Sequence, residues 1–218
     1  MSNETVSSIE YFDHRFPNFG FLEIKFGYKE LEPIIKEISQ MTQNNFMSAE
    51  KSNNELVGHI QKEFKLTESR NHLDSIVRPF CLEYDRIYNY LQNINILNDP
   101  ANVELGTVWV NFQKRHEFNP VHWHKGVFSF VLWIDIPFAN SDEIEVDSVK
   151  DAAINIPGNF QFLYQNTLGQ ICTHSIPADK EYNYRMILFP ATMRHAVYPF
   201  STVDSSRISV AGNYTFGV

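Results

Sequence analysis

Three histidines have the residue type and the spacing of metal ligands. His122 and His124 are separated by one residue, and His195 follows far downstream. In a β-strand, residues i and i+2 point to the same face, so an extended chain projects the first two rings side by side. Imidazole is the commonest neutral nitrogen ligand of metals in proteins. The apolar run from Val127 to Phe138 follows the pair at once and predicts the strand that supports it.

A second pair of residues is suited to holding a carboxylate. Arg207 comes twelve positions after His195, and Ser209 lies on the same face of the alternating segment that contains Arg207. A guanidinium fork beside a hydroxyl grips a carboxylate well. Each residue taken alone has an ordinary structural interpretation. Their order and spacing after the histidines favour a metal site beside a carboxylate grip, which is the arrangement that chelates an oxo-acid.

The elements that must position these residues differ between the two halves of the chain. In the first half, apolar residues recur at helical spacing over 28–41 and 71–91. Pro79 lies inside the second pattern and predicts either a kink or a later helix start. An alternating segment at 21–26 predicts a strand, and Asn98-Asp99-Pro100 is a turn signal that ends the helical part.

The second half consists of short segments that predict strands without helices between them. These segments cover 103–112, 126–137, 159–165, 170–176, 184–189, 194–200 and 206–216. We therefore predict a mainly β protein with N-terminal helices, of the α+β class, in which helices buttress a jelly-roll. No flexible linker divides the parts, so we predict a single domain over 1–218, with a mostly helical support region at 1–100 and the jelly-roll core at 101–218.

Composition excludes several classes of function. The net charge is −8 and no Lys/Arg cluster occurs, which argues against a nucleic-acid partner. Cys81 and Cys172 form no CxxC pattern, so we interpret them as reduced thiols. No apolar stretch approaches the roughly 20 residues of a membrane helix, and no signal segment begins the chain. We expect a cytoplasmic protein with no membrane partner. The acidic run from Asp142 to Asp147 is interpreted as a solvated surface loop.

The motifs together carry a family resemblance. His122-x-His124, the apolar strand, Leu188-Phe189-Pro190 leading to His195, and Arg207-Ile208-Ser209-Val210 resemble, in this order, the 2-oxoglutarate- and Fe(II)-dependent oxygenases. The likeness is closest to a branch common in bacteriophages, and it extends to Asn54–Phe64. The resemblance implies a double-stranded β-helix, a cupin-like jelly-roll. It also implies a non-haem iron dioxygenase, a hydroxylase, that uses Fe(II), 2-oxoglutarate and dioxygen, in the host cytoplasm if a phage encodes it.

Position by position, the resemblance assigns roles to residues of this chain. It makes His122 the first iron ligand and His195 the distal one. Arg207 would pair with the far carboxylate of 2-oxoglutarate with help from Ser209, and Asn111, on the strand before the histidine pair, could hydrogen-bond the cosubstrate. Aromatic candidates for the pocket wall are Trp109, Trp123, Phe128, Phe130, Tyr164 and Tyr214, for each of which core packing is an equal interpretation.

One position departs from the family pattern. The family has His-x-Asp or His-x-Glu, whose carboxylate completes the metal triad, but His124 stands at that place here. His124 could bind iron itself and give an all-histidine site, a carboxylate such as Glu117 or Asp135 could fold in, or the position could contribute no ligand. We prefer the first interpretation, because the spacing already aims the ring of His124 beside that of His122.

Two other functions stay open from the sequence. One is a cupin-like dioxygenase with three histidine ligands and no 2-oxoglutarate. The other is a non-catalytic β-sandwich, a phage binding or structural protein that lacks activity. For an oxygenase, the substrate class is also open between a peptidyl residue such as proline, a small metabolite and a nucleobase, and the oligomeric state is open, a homodimer included.

Overall fold

The structure is a computed structural model that describes residues 3–6, 9–12, 18–53, 56–94 and 102–217. Its strands are β1 Asn3–Val6, β2 Ile9–Phe12, β3 Leu22–Lys25, β4 Glu63–Lys65, β5 Val103–Gln113, β6 Asn119–His122, β7 Phe128–Asp135, β8 Phe160–Gln165, β9 Ile171–Ile176, β10 Arg185–Pro190, β11 Arg194–Val197 and β12 Arg207–Phe216. Its helices are α1 Tyr28–Gln43, α2 Arg70–Tyr88, α3 Tyr90–Ile94 and α4 Asn140–Glu143, and a short 3-10 turn covers Lys180–Tyr182.

Two antiparallel sheets form the body of the protein. The larger has six strands in the order β3-β10-β7-β12-β5-β4, and the smaller has four in the order β6-β11-β8-β9. Within the described residues, strands β1 and β2 pair only with each other. Every strand pairing within the two sheets is antiparallel. The predicted fold class, mainly β with N-terminal helices, is confirmed.

The larger sheet separates two apolar layers because its side chains alternate between its faces. On one face, residues such as Val110 of β5 and Leu132 of β7 join Leu31 of α1 and Leu73 of α2 in one buried cluster. On the other face, Trp133 of β7 joins aromatic residues of the smaller sheet in a second cluster. The helices therefore cover the outer face of the larger sheet, and the space between the sheets is left for a pocket.

Several elements differ from the sequence-based expectation. Helix α2 runs unbroken through Pro79, because the buried residues Val77 and Cys81 on either side of it hold both halves against the core. The three-residue strand β4 was not predicted, and helix α4 overlaps the start of the acidic run that was interpreted as a surface loop. The turn signal at Asn98-Asp99-Pro100 lies outside the described residues, as does part of the family-like segment at 54–64.

The interpretation of the acidic run as a solvated surface is wrong for Glu143. This side chain is fully buried, and its carboxylate accepts hydrogen bonds from the backbone N–H groups of Ser201 (2.8 Å) and Thr202 (2.9 Å). The carboxylate thus ties helix α4 to the segment between β11 and β12. Both cysteines are free thiols, as predicted. None of the described helices combines the length and the apolarity that a membrane span requires.

Candidate metal centre

The three predicted metal ligands meet between the two sheets. Strands β6 and β11 are antiparallel neighbours, and their register sets His122 directly opposite His195, with 4.2 Å between the ring centroids. His124 follows β6 and is held by a 2.8 Å hydrogen bond from its backbone N–H to the carbonyl oxygen of Ala191. Its ring lies 5.0 Å from that of His122 and 5.1 Å from that of His195. One nitrogen from each ring lies within 4.8 Å of the others.

The alternation expected of an extended chain explains why both rings of the pair point inward. Val121 and Trp123 are exposed, whereas His122 is buried and His124 is half-buried. A positive φ at Gly126 then turns the chain into β7. At this glycine a Cβ would lie 2.6 Å from the backbone oxygen of Tyr214, so only glycine allows so close an approach.

Backbone carbonyls fix the orientation of two of the three rings. The Nδ1 atom of His122 lies 2.7 Å from the carbonyl oxygen of Pro120, and that of His195 lies 2.9 Å from the carbonyl oxygen of Met193. Because a carbonyl oxygen only accepts, each Nδ1 must carry the hydrogen, and the lone pair is left on Nε2. Metal-binding histidines are typically oriented in this way.

All three rings are held in the neutral form that binds a metal. Burial lowers the pKa of His122, against a small opposing effect of the Pro120 carbonyl. Burial and then the neighbouring His122 lower the pKa of His124 to about 4. Burial lowers the pKa of His195 well below its ordinary value, and the other two histidines add to this effect. Because the pKa of each ring is lowered even without a bound metal, the rings are unprotonated at neutral pH and their lone pairs are available to a metal.

Neither carboxylate considered from the sequence joins the three rings. Within the described residues, the group of side chains that could hold a metal is His122, His124 and His195 alone. The carboxylate of Glu117 accepts hydrogen bonds from the backbone N–H groups of Gln61 (3.1 Å) and Lys114 (2.8 Å). Asp135 is an exposed residue of β7. The donor set at the centre is therefore three neutral imidazoles.

Arg207 is a buried cation with neutral partners. Its side chain is 1% exposed, and Nε and Nη2 donate to Oε1 of Gln113 at 3.1 and 2.7 Å. Further donations go to the carbonyl oxygens of Gly158 and Tyr198. Burial lowers the pKa of Arg207 to about 9, and the more distant charge of Glu143 opposes this. The guanidinium thus faces the space between the sheets without a carboxylate in contact with it.

A row of directly opposed residues crosses the larger sheet beside Arg207. Ser209 lies opposite Trp133 of β7 on one side and opposite Asn111 of β5 on the other, and Asn111 lies opposite Glu63 of the edge strand β4. The Nδ2 atom of Asn111 donates to Oγ of Ser209 at 3.3 Å. The Oδ1 atom of Asn111 is buried and has no hydrogen-bond partner among the described residues.

All of these groups line one pocket between the sheets. The pocket contains the three histidines, Arg207, Ser209 and Asn111, which are all six of the predicted site residues. Of the aromatic candidates, Trp109 and Phe130 also line it, whereas Trp123 is 46% exposed and Phe128 and Tyr214 belong to the core under the helices. Tyr164 lines a separate groove. Lining residues that sequence reasoning missed include Glu63, Gln113, Asn119, Trp133, Phe160 and Phe189.

Comparisons with known proteins bear on this arrangement. Residues 107–213 match a family model described as "Putative 2OG-Fe(II) oxygenase". The fold is similar to that of a prolyl hydroxylase from Trichoplax adhaerens, solved with a peptide fragment of the hypoxia inducible factor oxygen degradation domain (TM-score 0.54, 13% identity, 90% of this chain and 83% of that chain covered). It is also similar to a prolyl-4-hydroxylase from Pseudomonas putida (TM-score 0.54, 11% identity, 90% and 92% covered).

A third similar structure is the non-heme alpha ketoglutarate dependent carbocyclase SnoK from nogalamycin biosynthesis (TM-score 0.53, 8% identity, 90% and 79% covered). Among curated proteins, no significant match to the sequence was found. At such low identities the structural likeness demonstrates a shared fold, and this fold is the double-stranded β-helix that the family resemblance implied.

Proposed function

Through residues 107–213 the chain belongs to the 2OG-Fe(II) oxygenase family, and we propose that it holds Fe(II) through His122, His124 and His195. Enzymes of this family use Fe(II) and 2-oxoglutarate. The geometry suits the metal, because one nitrogen from each of three neutral imidazoles lies within 4.8 Å of the others and two of the rings have Nε2 left as the only lone pair. Bound iron supplies dioxygen activation coupled to the conversion of 2-oxoglutarate to succinate.

We propose that Arg207 binds the far carboxylate of 2-oxoglutarate. The single observation that carries this assignment is a fully buried guanidinium that lines the pocket of the histidines and, among the described residues, donates hydrogen bonds only to neutral acceptors. A buried charge without a counter-charge in direct contact is costly, and a carboxylate in the pocket would supply that contact. Ser209, two residues along the same face, adds a hydroxyl donor, and Asn111 orients that hydroxyl through its hydrogen bond.

We propose that the reaction is hydroxylation of a separate primary substrate. Peptidyl side chains, prolyl residues among them, are the first class to screen, since two of the similar structures are prolyl hydroxylases. Four exposed apolar residues are suited to contact a peptide, because three lie close to His122 in sequence and the first lines the pocket. They are Val57, Phe118, Val121 and Trp123.

The test begins with anaerobic reconstitution of the purified protein with Fe(II). Metal analysis, calorimetric binding of 2-oxoglutarate and succinate release in air are then measured. We expect one iron per chain and release of succinate from 2-oxoglutarate. Replacing Arg207 by Gln should raise the Kd of 2-oxoglutarate about 30-fold or more, the usual consequence of removing one partner of a buried charged contact. The matched control is Arg115→Gln, which removes a half-exposed surface cation paired with Asp204.

The all-histidine donor set keeps one other function in view, a three-histidine dioxygenase without 2-oxoglutarate. That function predicts iron binding with the same Kd for 2-oxoglutarate in the wild type and in Arg207→Gln, or no binding of 2-oxoglutarate at all. Absence of iron or another divalent metal after reconstitution would instead favour a non-catalytic β-sandwich. The three outcomes are distinct in the same set of measurements.

A further inference from the structure

Glu63 is a buried carboxylate in the pocket that the site described above does not use. It is 2% exposed on the edge strand β4. Its Oε2 atom accepts a 3.0 Å hydrogen bond from Nδ2 of Asn53. Within the described ranges, no lysine or arginine forms an ion pair with it. A carboxylate buried without a cation is unfavourable. Its presence in a ligand pocket therefore indicates a ligand that carries a positive charge.

Two further acceptors that lack donors among the described residues belong to side chains lining the same pocket as this carboxylate. The Oδ1 atoms of Asn119 and Asn111 are buried and have no hydrogen-bond partner in the described part of the chain. A point beside Gly58, where a Cβ would lie, is 2.3 Å from Oδ1 of Asn119 and 3.6 Å from Oε1 of Glu63, so these two oxygens converge on one region. Asn111 lies directly opposite Glu63 in the sheet.

Such a set of acceptors selects among ligands by chemistry. An ammonium group offers several N–H donors and a positive charge, and hydrogen bonds between charged partners are the strong ones. A carboxylate would meet the like charge of Glu63 and the two unpartnered amide oxygens there. Arg207 and Glu63, which line the same pocket, therefore favour different groups of different ligands.

We propose that Glu63 and Asn119, with the side-chain amide oxygen Oδ1 of Asn111, form a subsite that binds a protonated amine of the primary substrate. This inference rests on the proposed function, in which Arg207 takes the carboxylate of 2-oxoglutarate and leaves the acceptors beside Glu63 to the substrate. It narrows the substrate class to compounds with a protonated amine near the oxidised carbon. A prolyl residue within a peptide has no N–H on its ring nitrogen, so the subsite favours a free amine or an amine-bearing side chain over that group.

The electrostatics of Glu63 support the subsite. Burial, with the nearby charge of Glu117 as a second cause, raises the pKa of Glu63 to about 7. A bound cation would compensate for that burial and stabilise the ionised form. The apolar residues Leu56, Val57 and Ile60, which precede Glu63 in the chain, line the same pocket and offer contacts for the carbon skeleton of the amine.

The experiment uses the full chain loaded with 2-oxoglutarate and with Mn(II) in place of iron. The probes are pyrrolidine, which is protonated at neutral pH, and tetrahydrofuran, a ring of the same size with an ether oxygen. Binding of each is followed by NMR through the paramagnetic relaxation that Mn(II) induces in the probe protons. We expect pyrrolidine to bind about 10–100-fold more tightly than tetrahydrofuran, the range for charged hydrogen bonds, and Glu63→Gln to remove the preference.

The control is Glu50→Gln, which removes a negative charge close to the same edge strand, where it pairs with Lys65, without touching the pocket. Equal binding of the two probes to the wild type would overturn the subsite, as would an unchanged preference in a folded Glu63→Gln. The wild-type comparison needs no variant, so it decides even if that variant fails to fold. Failure of the wild type to bind Mn(II) and 2-oxoglutarate would count against the proposed function instead, which separates the two failures.

Discussion

At the scale of single residues, the imidazole of His124 at the carboxylate position decides the character of the centre. A triad of three neutral ligands leaves the bound ion with its full positive charge, whereas a family-type aspartate would reduce it. An aspartate at position 124 would have a shorter side chain than histidine. The side chain at this position already faces the other two rings, whose centroids lie 5.0 and 5.1 Å from that of His124. Metal affinity is therefore the property that a substitution at this position should change first.

Replacing His124 by Ala should weaken Fe(II) binding by more than the roughly 10–100-fold that loss of a hydrogen-bond partner of a ligand costs, because an entire ligand is removed. His124→Asp should retain the metal, because a carboxylate is also a ligand. Calorimetric titration with Fe(II) under anaerobic conditions measures both. Replacement of His174, an exposed histidine of β9, by Ala is the control. Unchanged affinity in His124→Ala would mean that only His122 and His195 bind the ion.

The buried carboxyl of Glu63 should make the stability of the ligand-free protein depend on pH. Its folded pKa, about 7, lies above the ordinary value of 4.5, so the folded state binds the proton more tightly than the unfolded chain does. The contribution of Glu63 to stability is then greatest below pH 4.5 and falls as the pH rises from 4.5 to 7. Glu63→Gln should match the wild type at pH 4.5 and exceed it above pH 7 by about 3 kcal/mol.

Urea unfolding at pH 4.5 and pH 8 measures this difference in the free energy of unfolding. The exposed Glu50→Gln should change little at either pH. A wild type that is as stable as Glu63→Gln at pH 8 would show that the Glu63 carboxylate finds compensation in the folded chain.

Some site residues could be predicted from the sequence because they stand in recognisable motifs. Others could not, because only strand register or a very short strand places them in the site. His122, His195 and Arg207 stand in motifs whose spacing is tied to their chemistry, and they lie in one pocket. Gln113, the neutral partner of the guanidinium, lies opposite Arg207 in the register of two strands, and register depends on pairing that no local pattern records. Glu63 stands in a strand of three residues, too short for an alternation to be recognised.

At the scale of elements, the strand pattern was predictable because one face of each strand packs on a buried layer. The strand predicted at 206–216 is observed at Arg207–Phe216, and the one predicted at 103–112 at Val103–Gln113. The link between α4 and the segment before β12 could not be foreseen, because Glu143 and Ser201 are far apart in sequence and meet only in the fold.

This link yields a prediction about helix α4. The two oxygens of Glu143 accept from the backbone N–H and the hydroxyl of both Ser201 and Thr202. Glu143→Gln turns one of those acceptors into an NH₂ group that faces donors, and it should lower the free energy of unfolding by about 2–4 kcal/mol. Because Tyr198, in the same segment, accepts from Arg207, 2-oxoglutarate should also bind more weakly.

Urea unfolding and calorimetry with 2-oxoglutarate measure the two effects. Glu145→Gln, an exposed member of the same acidic run, should leave both unchanged. Equal stability of Glu143→Gln and the wild type would show that the hydrogen bonds of this carboxylate contribute nothing net.

At the scale of the whole molecule, the helical half and the β half share a core. Leu31 of α1 and Leu73 of α2 are completely buried in the same cluster as Val110 of β5 and Leu132 of β7. Polar contacts join the same parts, since the hydroxyl of Tyr214 donates to Asp74 of α2 at 2.9 Å. The apolar face of α2 has no other surface in the described chain on which to be buried to this extent, so separate folding of the two halves would expose it to water.

We therefore predict a single unfolding transition for the full chain. The helical signal at 222 nm comes mainly from helices α1, α2 and α3 and the fluorescence from Trp109, Trp123 and Trp133, so the two probes report mainly on different halves. Their urea curves should coincide, as two-state unfolding requires. Leu73→Ala, a helix substitution, should shift both midpoints equally and cost about 2–5 kcal/mol, whereas Leu82→Ala, at an exposed position of the same helix, should shift neither. Separate midpoints, or a Leu73→Ala effect confined to the helical signal, would mean that residues 1–100 fold as a domain of their own.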